Sequence, residues 1–152
     1  MLSRVRTLTP LAATLLAAGA AMGADAVAAP ATANPGGVPA IPLNTEQETT
    51  GSNTGASGFF NYRVQGTMLC YTVVVNGLSA NAIAAHIHVG PRHVAGPVVI
   101  PLSVPSATSF TTSGCTSVAA GVLADLQANP KAYYVNVHTP AFPGGEVRGQ
   151  LK

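Results

Sequence analysis

The sequence predicts an all-β fold, an antiparallel β-sandwich or barrel of about seven to eight short strands with one short helix. Three observations carry this. Apolar residues recur at every second position in several stretches, the period of a half-buried strand. Turn residues (Gly66, Asn76-Gly77, the GPRHVAG and PAFPGG segments) separate those stretches, as in sandwiches and barrels. Only one stretch, SVAAGVLADLQANP, reads as a helix.

Taken in order, VPAIPL offers a first short strand, which Pro39 and Pro42 confine to a sheet edge. In FFNYRVQ, Phe60, Tyr62 and Val64 alternate with Asn61, Arg63 and Gln65, the pattern of a strand with one wet face. Met68 to Val75 is rich in β-branched and aromatic residues and ends at the Asn76-Gly77 turn. From Ile83 to Val89 the alternation returns. Ile83, Ala85, Ile87 and Val89 fall on one face, and Ala84, His86 and His88 on the other. PVVIPL is a further strand, at an edge because of Pro101, and residues 107–112 supply another. In the helical stretch Ser117 is placed to cap the N-terminus, and Val118, Val122 and Leu126 recur on one face. Gly121 weakens that helix and Pro130 stops it. YYVNVHT and EVRGQLK are the last strands. In the latter Val147, Gly149 and Leu151 oppose Glu146, Arg148 and Gln150.

The N-terminus reads as an export signal over residues 1–28. Arg4 and Arg6 precede an apolar run at 8–23, and small-residue cleavage patterns follow at Ala24-Asp25-Ala26 and Ala26-Val27-Ala28. An uncleaved anchor is the competing reading, but the run falls short of the ~20 apolar residues of a span. No cysteine lies near the cleavage region, which argues against a lipid anchor. Residues 29–37, small and rich in Pro and Gly, read as a flexible linker, and 38–152 as one domain. The expected location is therefore outside the cell, with no membrane span after cleavage.

Past residue 30 the basic residues are Arg63, Arg92, Lys131, Arg148 and Lys152, against Glu46, Glu48, Asp125 and Glu146. They are scattered, so no nucleic-acid surface is expected. Cys70 and Cys115 are the two cysteines, and in an exported chain they are expected to pair. Closing the intervening loop would stabilise the fold by about 4 kcal/mol.

The stretches AAHIHVG and GPVVIPL, then YYVNVHTPAFPGGEVRGQL, resemble the CHRD domain, the module named after repeats in chordin. The upstream TGASGFFNYRVQGTMLCYTVVVNGL fits the first half of that family, and the resemblance covers residues 43–151. It implies an immunoglobulin-like, Greek-key β-barrel with a faint similarity to copper-zinc superoxide dismutases, and it implies no defined catalytic activity. PRHVA, after His88, departs from the family's Gly-rich spacing, so no shared role is carried to His93. Chordin's signalling partners are likewise not carried over.

His86 and His88 project from one strand face, roughly 6–7 Å apart along the strand. Tyr134, Asn136 and His138 share a face in YYVNVHT. If these strands are neighbours, His86, His88 and His138 converge, and three imidazoles suit Zn²⁺ or Cu²⁺. Glu146 is the candidate fourth ligand, or a hydrogen-bond partner of a ligand. The H-x-H pattern with a distant histidine resembles the dismutase copper site, although no second set of His and Asp for a zinc site is apparent. The competing reading is a cluster of histidines that merely bond one another. His93 is expected to be a solvated loop residue, and Glu146 and Arg148 to form cross-strand ion pairs. No nucleophile-elbow motif, carboxylate pair or phosphate-binding loop is present. The expectation is a non-catalytic extracellular module that binds a protein or polymer partner. The alternative is a copper- or zinc-binding exported protein.

Overall fold

A computed structural model describes residues 40–152. The expected signal at 1–28 and linker at 29–37 lie outside the described residues. Eight strands and one helix form the fold: β1 (Ile41–Asn44), β2 (Ser57–Gln65), β3 (Met68–Asn76), β4 (Ala84–Val89), β5 (Val98–Leu102), β6 (Phe110–Ser117), α1 (Ala120–Ala128), β7 (Tyr133–His138) and β8 (Val147–Gln150). All pairings are antiparallel, in one sheet of order β5-β4-β7-β8-β1-β2-β3-β6. Its two end strands, β5 and β6, come into contact, so the sheet curls into a nearly closed barrel. Tyr71 of β3 fastens the gap. Its hydroxyl accepts from the Ser103 N–H at 2.7 Å and donates to the Ser103 carbonyl at 3.2 Å, just beyond β5.

The alternation read from the sequence decides what lies inside. Phe60, Leu69, Val73, Ile87 and Val135 are each 0 % exposed, and each contributes about 1.5–3 kcal/mol by leaving water. The expected cross-link is present: Cys70 and Cys115 stand opposite one another on β3 and β6 and are joined by a disulfide. No helix of the described residues is long and apolar enough to cross a membrane.

Five local expectations are corrected. The first strand is internal, between β8 and β2, despite Pro42. Its ladder to β8 is a single pair, Asn44 with Arg148, so a missing N–H matters little there. Gly149 permits the close approach, since a Cβ at that position would lie 2.6 Å from the Pro42 carbonyl oxygen. The helix starts at Ala120 without a side-chain cap, because Ser117 ends β6 instead. The helix buries Leu123 with Leu126, while Val118 and Val122 are only partly covered. The strand expected at 107–112 runs from Phe110 to Ser117. Ile83 precedes β4 rather than joining its inner face, and it is 58 % exposed.

Candidate metal centre

β4 and β7 are adjacent, and their register brings the three histidines together. His86 stands opposite Asn136, His88 opposite Tyr134, and Ala84 opposite His138. The inner sides of these strands hold Ala85, Ile87, Val135 and Val137 in the core. The outer sides were expected to be wet, but every residue of β7 is buried, as is His88. The loop after β4 covers them. Arg148 of β8 donates to the carbonyls of Val94 at 3.0 Å and Pro91 at 2.8 Å, and Gln150 donates to that of Gly90 at 2.9 Å. His86 stays half-exposed, at the mouth of the cluster.

Candidate ligand atoms of His86, His88 and His138 lie within 4.8 Å of one another. A tetrahedral ion with metal–nitrogen bonds of about 2.0–2.1 Å needs them about 3.4 Å apart, so small side-chain rotations would close the set. Two of the rings have their tautomers set by backbone carbonyls. Nδ1 of His88 donates to the Gly96 carbonyl at 2.8 Å, and Nδ1 of His138 to the Pro143 carbonyl at 2.9 Å. Each ring then presents an Nε2 lone pair, the arrangement in which metal-bound histidines are held. His138 Nε2 accepts from His86 Nδ1 at 2.9 Å. His88 Nε2 is buried and has no hydrogen-bond partner.

Burial favours the uncharged imidazoles. Desolvation, reinforced by the neighbouring rings, pushes His138 down to about 4. Desolvation also lowers His86, with His88 adding to the effect. In His88, desolvation and the nearby Arg148 charge outweigh the bonds to Gly96 and Asn136 that favour the cation. Neutral imidazole is the form that binds metal.

His88 also belongs to a stack. Its ring lies parallel to that of Tyr134, with centroids 4.8 Å apart, and the Arg148 guanidinium sits 3.3 Å from the Tyr134 ring centre on a cation–π contact. Gly96 joins stack to ligand: its N–H donates to the Tyr134 hydroxyl at 3.1 Å while its carbonyl holds His88.

The other expected residues fall elsewhere. Both oxygens of the Glu146 carboxylate are taken by other groups. Oε1 accepts from Thr54 Oγ1 at 2.8 Å and Ser79 N at 2.7 Å, and Oε2 from Ser79 Oγ at 2.8 Å and Thr139 Oγ1 at 2.7 Å. It braces the chain beside His138 and stands outside the imidazole cluster. Arg148, expected to form a cross-strand ion pair, spends its donors on loop carbonyls instead. His93 is exposed in its loop, as expected, with φ of 59°. Tyr134 and Asn136 were visible in the sequence as sharing a face with His138. The part played by Gly96 had no sequence signal, because it depends on where the loop lands.

No curated protein and no solved structure matches the chain. The two β-rich halves, the Cys70–Cys115 bridge and the histidine-bearing strands all fall within residues 40–151, the span matched by the family model for the CHRD domain. The chain therefore belongs to the CHRD domain family.

Proposed function

We propose that this CHRD domain is a non-catalytic extracellular module that carries one Zn²⁺ or copper ion on His86, His88 and His138. The observation that carries the reading is the orphaned Nε2 of His88. A cluster that existed only to satisfy its own hydrogen bonds would leave no buried lone pair unanswered, since such an atom costs about 1–3 kcal/mol. Here the backbone fixes the proton on Nδ1 and turns the lone pair inward, towards two more imidazoles. The disulfide fits an oxidising compartment, and with the signal-like N-terminus it supports export.

The test is a melting curve of the purified chain, made without a histidine tag, with and without Zn²⁺ or Cu²⁺. An ion at a hundred times its dissociation constant adds about 2.7 kcal/mol to the folded state, so the wild-type melting temperature rises by several degrees. A variant with His86, His88 and His138 all changed to alanine shows no such rise. Equal responses of the two proteins overturn the reading.

A further inference from the structure

Asn136 neighbours the three histidines in the sheet register. His86 stands directly across from it on β4, and His138 follows two residues on along β7. The side chain is 0 % exposed, and its Oδ1 has no hydrogen-bond partner. Side-chain amides are often ambiguous about which end is oxygen, but here the surroundings decide. Nδ2 donates to the Gly144 carbonyl at 3.2 Å. The Glu48 carboxylate lies on the same side: a Cβ placed on Gly145 would lie 2.6 Å from Asn136 Nδ2 and 2.1 Å from Glu48 Oε1. Turning the amide over would set its oxygen against the Gly144 carbonyl, which only accepts, and beside the Glu48 carboxyl, which only accepts when ionised.

Oδ1 is therefore turned away from them; in the sheet register Asn136 stands between Tyr134 and His138 on β7, across from His86, with His88 the next outward residue along β4. On the same buried face Nε2 of His88 is the other orphan. With the His88 proton committed to Gly96, both atoms offer lone pairs and neither offers a hydrogen. Two desolvated acceptors left without a donor are each unfavourable. A cation between them answers both at once.

We infer that Asn136 Oδ1 is the fourth ligand of the metal held by His86, His88 and His138. The inference rests on the three-histidine reading above and completes it. Three imidazoles and an amide oxygen close a tetrahedral set, with no position left for a substrate, and closed sites of this kind are structural rather than catalytic. The added oxygen is a neutral, hard donor, which suits Zn²⁺ better than Cu⁺.

The test is zinc affinity by chelator competition on the full chain, in wild type, His88→Ala, Asn136→Leu and Asn136→Asp. Asn136→Leu is expected to weaken zinc binding about 10–100-fold. Asn136→Asp, which offers a charged oxygen at the same place, is expected to bind at least as tightly as wild type. Because either variant could be poorly folded, a second measurement uses the wild-type chain alone. The carbon-13 resonance of the Asn136 side-chain carbonyl shifts when zinc is added, while those of exposed asparagines such as Asn53 do not. Affinities within about twofold of wild type in both Asn136 variants, with His88→Ala binding abolished, overturn this inference and leave the three-histidine site standing. So does an unshifted Asn136 carbonyl, or a His88 ring that nitrogen-15 spectra show protonated on both nitrogens at neutral pH. Failure of wild type to bind zinc or copper at all overturns the three-histidine reading, and this one with it.

Discussion

The outer faces of the two halves of this barrel are built on the same alternating pattern and end in opposite environments. On β2, β3 and β6 the outward side chains meet solvent: Phe59 is 51 % exposed, Thr111 and Ser113 are exposed, and Ser113 shares a 2.8 Å hydrogen bond with Thr72 across the strands. On β4, β7 and β8 the outward side chains His88, Asn136, His138 and Arg148 are buried, and His86 is half-exposed. The difference lies in the loops. The short β2–β3 turn at Gly66 leaves the first half bare. The segments 45–52, 90–97 and 139–146 fold back over the second half and fasten to it through Gln47, Arg148, Glu146 and Gln150. A strand's polar face therefore becomes a site only where chain from elsewhere takes the water away from it.

If that contrast is right, the bare half depends on a covalent tie and the covered half on polar bonds. The largest effect belongs to the tie. Changing Cys70 and Cys115 together to alanine opens a loop of sequence separation 45, and urea unfolding should show a loss of about 4 kcal/mol. A loss below about 1 kcal/mol would mean that the bare half holds together without it.

Next comes Arg148→Met, which frees the carbonyls of Pro91 and Val94 and the face of Tyr134. It should cost about 3 kcal/mol, whereas Ser113→Ala on the bare half should stay within about 0.5 kcal/mol. Similar losses in the two variants would erase the contrast.

The smallest of the three large effects is pH-dependent and centres on Glu146. Burial alone would raise its pKa, but the donors from Thr139, Ser79 and Thr54 outweigh it and hold the carboxyl below its ordinary value of 4.5. The folded state therefore binds this proton less readily than the unfolded chain. The stabilisation is complete above about pH 4.5 and is lost as the pH falls through the lower folded value. Glu146→Gln should cost on the order of 2 kcal/mol at neutral pH. It should also flatten the stability profile of the acid limb, which urea titrations at several pH values would show. An acid limb as steep in the variant as in wild type would assign that loss to other groups.

Much of the fold was legible beforehand because strand periodicity is local. The inward faces of β2, β4, β7 and β8 follow from alternation, and the pairing of the two cysteines was expected from their chemistry. Pro42 misled because proline is costly only where a ladder needs its N–H, and β1 meets β8 at one residue pair. Ser117 misled because a capping residue type is equally at home at the end of β6. Its place near His138 in sequence makes Glu146 a candidate ligand or a hydrogen-bond partner of one. Its four donors come from three separate segments, and two of them, around Thr54 and Ser79, are far away along the chain.

By itself the sequence determined that His86, His88 and His138 leave the core on outward faces, because side chains alternate along any strand. It also determined the family and the inner core. Only the tertiary structure decided that β4 lies beside β7, that Gly96 and Pro143 fix the protons of two imidazoles, and that Asn136 sits between them with an unanswered oxygen. The reason is physical. Periodicity sets which way a side chain points, while burial and hydrogen-bond partners depend on residues far apart in the chain, whose meeting is settled by the packing of the whole barrel.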